Sequence, residues 1–144
     1  KYFKNKKISF NSVMILQPTC PFRSTKDINK SIEILKKNKK YDSLISLQKI
    51  ESFHPARMKI IKKKKIVNPA FSKYLKDGPR QKLDKIYIRS GLVYLSKIEN
   101  IYKNKFQGKN CFAYITPQSR SINIDNLFDL QVARFLAKKF RKLF

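Results

Sequence analysis

The most constraining feature of this chain is a short apolar run, Val13-Met14-Ile15-Leu16, cut off by a proline-bounded loop and followed by a capped helix and a second apolar run. Four consecutive apolar residues read as a buried central strand. Gln17-Pro18-Thr19-Cys20-Pro21 then denies the chain both a strand ladder and a helix, so it is a rigid loop at the strand's C-terminal end. Ser24 and Asp27 make an S-x-x-D capping pattern, and Ile28, Ile32 and Leu35 recur at helical spacing until the Lys36 to Lys40 tract. Ser43 to Leu47 reads as a second buried strand. Strand, helix and strand within about 35 residues predict a parallel pair joined by a right-handed crossover.

The rest of the chain extends this α/β plan. Met58-Lys59-Ile60-Ile61 and Ile66-Val67, separated by lysines, predict an exposed hairpin, and residues 68–79 a loop broken most sharply at Asp77-Gly78-Pro79. Ile86 to Leu95 is rich in β-branched and aromatic residues, with Gly91 marking a bulge or a close approach. Ser96 is placed to cap a short helix through Tyr102, and Cys111 to Ile115 is another strand. Asn126 to Phe144 predicts an amphipathic terminal helix with Leu127, Leu130, Phe135, Leu136 and Phe140 toward the core. The expected fold is an open mixed, mostly parallel sheet flanked by helices, in one domain over residues 1–144. Such a sheet normally carries a phosphate-binding loop at its first βα turn. The chain's only glycines are Gly78, Gly91 and Gly108. Either the fold binds no nucleotide or the chain is a fragment that lacks its N-terminal portion.

Charge narrows the partners less than its size suggests. Thirty-four basic against nine acidic residues give +25. That balance suits a polyanion partner, and a small basic nucleic-acid-binding protein is the rival functional class. The excess lies in tracts such as Lys62 to Lys65, without the mixture of Arg, Gly and aromatics of a nucleic-acid surface, which favours lysine-rich usage on solvated faces. Cys20 and Cys111 have neither metal-ligand spacing nor a disulfide framework. No apolar run approaches a membrane span and no credible signal peptide opens the chain, so a cytoplasmic protein without membrane or specific nucleic-acid partners is expected.

Four short stretches carry a family resemblance, from about Ser12 to the terminal helix. Leu16-Gln17-Pro18-Thr19-Cys20-Pro21-Phe22-Arg23 is similar to an L-Q-P-T-S-P-L-R motif, with Cys20 for Ser and Phe22 for Leu. His54-Pro55 followed by Met58-Lys59 is similar to H-P-x-x-M-K. Arg80-Gln81, and then Tyr87 to Tyr94 (YIRSGLVY), are similar to R-Q and Y-x-x-N-G-A-I-Y. Arg120-Ser121-Ile122-Asn123-Ile124-Asp125 and Asp129 are similar to R-S-x-D-I-D-x-x-x-D. Together they resemble the CMP-sialic acid synthetase (acylneuraminate cytidylyltransferase) family, in the C-terminal part of its nucleotide-diphospho-sugar-transferase-like domain. The family's P-A-R-x-G-S-K loop for CTP has no counterpart in the chain, so the resemblance implies little or no activity of these 144 residues alone. A non-catalytic remnant of such a transferase is a further reading.

The resemblance implies transfer of CMP from CTP to the anomeric hydroxyl of an acidic nine-carbon 2-keto sugar, with Mg²⁺ and release of pyrophosphate. It implies Asp125 and Arg80 as catalytic residues, and Asp125 with Asn123 as metal ligands, Asn123 standing where the family has Asp. The residue-level alternative for Asp125 is an N-cap of the terminal helix. Gln17, Arg80, Gln81, Ser90, Tyr94 and Phe106 would contact substrate, with Arg80 meeting the sugar carboxylate bidentately. Gln17 could equally brace its loop, Arg23 close onto it, and Tyr94 be core. The lone His54 reads as a turn residue rather than a general base. Residues 53–95 correspond to an arm that would build a homodimer.

Overall fold

The structure is a computed structural model that describes residues 9–140. It is an α/β protein with a four-stranded mixed sheet in the order β1-β5-β2-β6, a separate two-stranded hairpin β3-β4, and three helices. The strands are β1 Ser12–Ile15, β2 Ser43–Lys49, β3 Ile60–Lys62, β4 Lys65–Val67, β5 Tyr87–Lys97 and β6 Cys111–Ile115; the helices are α1 Thr25–Lys37, α2 Ile98–Tyr102 and α3 Leu127–Phe140. The chain divides into two compact units. One runs to Gln48 and resumes at Arg89; the other is Lys49–Ile88. The second unit overlaps the expected arm of residues 53–95 but begins at Lys49 and ends at Ile88, since β5 from Arg89 onward belongs with the four-stranded sheet.

The sheet is mixed, as expected, but one parallel pair does not make it mostly parallel. β1 and β2 are not hydrogen-bonded neighbours, because β5 lies between them and runs antiparallel to β1, from Ser12 opposite Lys97 to Ile15 opposite Tyr94. Among the described residues the parallel pair is β2 with β6, from Ser43 opposite Cys111 to Leu47 opposite Ile115. A strand-helix-strand pattern fixes that two strands share a sheet but leaves room for a later strand to insert. β5 is the strand best able to do so. Its Leu92, Val93 and Leu95 join Leu44, Leu35 and Cys20 in the buried core, with Met14, Ile32, Tyr41, Phe112 and Tyr114 packed around them.

α1 begins as its sequence dictates: the Ser24 hydroxyl accepts the Asp27 N–H at 3.3 Å and the Asp27 carboxylate accepts the Ser24 N–H at 2.9 Å. α2 departs from expectation. Ser96 is the penultimate residue of β5 and accepts from the Asn100 amide, while Lys97 occupies the cap position without a side-chain bond. α3 departs more. It packs through Ala133, with Leu130 and Leu136 half-buried, whereas Leu127 and Phe135 are 78% and 67% exposed. Phe135 falls opposite the Leu130-Ala133-Leu136 stripe, and Leu127 lies in the first turn. The side chain of Phe140 and residues 141–144 lie outside the described residues. In the second unit the predicted hairpin forms, with Lys62 paired to Lys65. Its two turn residues Lys63 and Lys64 both have positive φ, 45° and 64°, the conformation that two-residue hairpin loops demand. The expected loop of residues 68–79 contains a 3₁₀ turn, Ala70–Tyr74. No helix among the described residues is long and apolar enough to cross a membrane.

Candidate functional site

The loop after β1 is tied down before it presents anything. Arg23 donates through Nε to the Leu92 carbonyl at 2.6 Å and through Nη2 to the Gln17 carbonyl, which also accepts the Cys20 N–H at 3.2 Å. Two prolines take donors out of the loop, so the guanidinium adds to the closure that the Cys20 N–H provides. Opposite the loop, Gly91 has φ of 75°. A β-carbon there would meet the Gln17 Oε1 and would lie 2.6 Å from the Cys20 Sγ. The glycine is required twice over, by its backbone and by this close approach.

A second segment reaches the same loop from residues 116–125. Its anchor is Arg120, whose guanidinium grips the buried Asp27 carboxylate at 2.5 and 3.2 Å. Tyr114 donates its hydroxyl to the same carboxylate at 2.9 Å, and the Ser24 hydroxyl donates at 2.7 Å. Burial works against ionisation of Asp27, but the bonds from Arg120, Ser24 and Tyr114 outweigh it and hold the carboxyl down at about 2. Burial and the adjacent Asp27 carboxylate push Tyr114 up, so it stays a donor. Next in sequence, the Ser121 hydroxyl bonds to the Pro117 carbonyl and to the Thr116 hydroxyl, each at 2.8 Å, and Thr116 in turn bonds to Ser90 at 3.1 Å and to the Leu47 carbonyl at 3.0 Å. Arg120 and Ser121 therefore fasten the extended segment Asn123-Ile124-Asp125 that comes after them.

That segment docks on the β1 loop. The Ile124 N–H donates to the Thr19 carbonyl at 2.9 Å. The Asn123 side-chain Oδ1 accepts from the Thr19 hydroxyl at 2.5 Å and from the Cys20 thiol at 3.4 Å, and its Nδ2 donates to the Asp125 carboxylate at 2.7 Å. The two side chains at positions 123 and 125 meet on one side of the extended segment, as alternation requires. Burial, partly offset by Arg23, pushes the Cys20 thiol up and keeps it a donor; it also bonds to the Ser90 carbonyl at 3.4 Å.

Asp125 is exposed and does not cap α3. That task falls to Asn126, whose Oδ1 accepts the Asp129 N–H at 3.0 Å, while Asp129 accepts the N–H groups of Asp125 and Asn126 at 3.0 and 3.2 Å. A capping pair one residue downstream thus leaves the Asp125 carboxylate to face outward. Mg²⁺ takes oxygen ligands and commonly uses one or two carboxylates beside water and phosphate oxygens. Asp125 fits that role as a single carboxylate; no cluster of three or more His, Cys, Asp or Glu occurs among the described residues.

The other expected site residues fall in both units. Gln17 sits beside Cys20 and Gly91 at the end of β1. Ser90 is buried, with its hydroxyl on Thr116 and its carbonyl on Cys20. Tyr94 and Phe106 meet edge to face with centroids 6.4 Å apart, and burial pushes Tyr94 up despite Arg89. Arg80 and Gln81 belong to the second unit, where with Lys49, Glu51, Arg57 and Lys85 they line a cleft of about 480 Å³. Arg80 faces Glu51 at 3.4 Å. His54 has both ring nitrogens on the backbone, Nδ1 accepting from Ala56 at 3.2 Å and Nε2 3.1 Å from the Asp84 carbonyl. It is a turn residue.

Sequence reasoning missed Asp27 as a node. Its capping pattern explains one set of its bonds, and nothing local announces that Arg120, 93 positions away, supplies the other. Family models scanned with this chain give no match, and a search of curated proteins finds none either. Fold and site thus define an α/β protein with a polar site at the end of an edge strand.

Proposed function

We propose that the chain is part of a cytidylyltransferase that moves CMP from CTP to the anomeric hydroxyl of an acidic 2-keto sugar, sialic acid or a related nonulosonic acid, and releases pyrophosphate. The observation that carries the reading is the Thr19-Asn123-Asp125 chain of hydrogen bonds. It joins the first and fourth of the motifs that resemble CMP-sialic acid synthetases, more than a hundred residues apart, at the C-terminal end of β1. Open α/β sheets bind ligands at such strand ends.

In this reading the sugar hydroxyl forms a bond to the α-phosphorus, the bond to the bridging oxygen of pyrophosphate breaks, and the hydroxyl proton is released. Mg²⁺, when bound, neutralises charge on the triphosphate and on the leaving pyrophosphate. Asp125 would hold it from the protein side, with Asn123 and Arg120 keeping Asp125 in place. Gln17 orients the sugar through its amide, with Tyr94 and Phe106 contributing apolar surface. Arg80 and Gln81, in the second unit, are a bidentate cation and an amide of the kind that recognises a carboxylate. The second unit serves as the arm of a homodimer. Its exposed Phe53, Ile61, Ile66 and Tyr74, 74–83% accessible, support this, since a unit of forty residues buries little else of its own. The CTP triphosphate contacts come from residues outside these 144, so the chain alone turns over little.

The test is pyrophosphate release from CTP and Mg²⁺ across a panel of nonulosonic acids, with the chain and with a form extended upstream. Turnover by the extended form that Asp125→Ala abolishes supports the proposal. Full turnover by the chain alone refutes the division of labour.

A further inference from the structure

We infer that Asn123 is not a metal ligand but a positioning residue that takes the place of a bridging cation beside Asp125, so that a divalent ion enters this site only together with a phosphate-bearing ligand. The inference rests on the proposed reading that a divalent ion works at Asp125.

An amide oxygen has two lone pairs. At Asn123 the oxygen accepts the Thr19 hydroxyl at 2.5 Å and faces the Cys20 thiol at 3.4 Å, a thiol whose single proton is shared with the Ser90 carbonyl at the same distance. An ion at this oxygen would displace donors that hold the loop after β1 against the 123–125 segment. The amide nitrogen is turned to the Asp125 carboxylate at 2.7 Å, where a cation shared between positions 123 and 125 would otherwise sit. Asp129 is committed at Oδ2 to the start of α3, where it accepts the N–H groups of Asp125 and Asn126, and no cluster of three or more His, Cys, Asp or Glu occurs among the described residues. Asp125 is the carboxylate turned to the Asn123 amide. A small hard ion that gives up water reluctantly binds one carboxylate weakly, and gains the rest of its ligands from phosphate oxygens.

The arrangement also says what would change it. Asn123→Asp preserves size and keeps an acceptor for Thr19 and Cys20, but replaces an N–H donor by an anionic oxygen at the 2.7 Å contact. Two carboxylates so placed are reconciled only by a proton or a cation. The substitution should therefore create a free-standing divalent site.

Binding of Mn²⁺ alone, without nucleotide, is measured by electron paramagnetic resonance on the wild-type chain, Asn123→Asp, and Asn123→Asp/Asp125→Asn. The expected result is about tenfold tighter Mn²⁺ binding by Asn123→Asp, with the double variant back at the wild-type level. Wild-type binding as tight as that of Asn123→Asp overturns the inference, as does a gain that survives in the double variant. Should Asn123→Asp fail to fold, the Asn123 side-chain amide signals of the wild-type chain are monitored by NMR during Mg²⁺ titration. Unmoved signals support the inference, and signals shifted by Mg²⁺ alone overturn it. Neither arm uses turnover, so a failure here is separate from a failure of the pyrophosphate assay.

Discussion

Replacing Asp27 by Asn tests the fastening that carries the candidate site. The Asp27 side chain is 2% exposed and receives Arg120, both Ser24 donors and Tyr114. Its drop from an ordinary carboxyl value of 3.8 to about 2 is worth about 2 kcal/mol, at about 1.4 kcal/mol per pH unit. Because the folded value is depressed, this stability is fully present above about pH 4 and is lost as pH falls through about 2. Asp27→Asn keeps the side chain's size but gives up the charge, so it should cost about 2 kcal/mol at pH 6. Arg120→Met should cost more, about 3 kcal/mol, because it strands a buried carboxylate; the half-open setting of Arg120 and the remaining donors keep the loss at the low end of such cases. The double variant should be less destabilised than the two losses combined. Urea midpoints at pH 6, 4, 3 and 2 read all of this, and the wild-type and Asp27→Asn curves should converge on acidification. A gap of constant size across that range would refute the argument, as would an Arg120→Met variant as stable as wild type.

Three further outcomes come from local geometry. Gly91→Ala should destabilise by about 2 kcal/mol or more, since it adds left-handed strain to a clash with Gln17 and Cys20; thermal unfolding measures it. Lys63→Asn with Lys64→Gly should strengthen the β3-β4 hairpin by about 0.5–1 kcal/mol, read as slower amide exchange at Ile60 and Val67, because both turn residues have positive φ. Asn126→Ala should cost about 1 kcal/mol by uncapping α3, and circular dichroism on heating should show the terminal helix fraying earlier.

Local patterns were legible wherever one element determined its own residues. The Ser24-Asp27 cap, the lysine-turned hairpin, the Cys111–Ile115 strand and the close approach at Gly91 each derive from a few adjacent side chains. Pairings set by distant sequence were not. The buried central strand expected of Val13 to Leu16 is an edge strand instead, with Ile15 46% and Leu16 38% exposed. Nothing near Val13 or Ser43 reveals that β5 inserts between their strands, because an apolar run does not say which neighbour a strand takes. The stripe of α3 was misjudged for a related reason: the helix makes its closest approach through small Ala133, and a large residue such as Phe135 carries the greater apolar weight in any periodicity. At the site, alternation in Asn123-Ile124-Asp125 foretold a shared side, while the cap that was the alternative role for Asp125 belongs to Asn126. The Asp27-Arg120 clamp was invisible because the cap explained Asp27 locally and nothing near Arg120 points to a partner 93 positions away.

The proposed nucleotidyl transfer to an acidic sugar is read most directly as pyrophosphate release from CTP with Mg²⁺ over a panel of nonulosonic acids. Turnover by the upstream-extended protein with at least one such sugar, abolished by Asp125→Ala and greatly reduced by Arg120→Met, is the expected result. No turnover with any sugar, in a folded extended protein, would contradict it and leave the basic charge of the chain as the feature to explain.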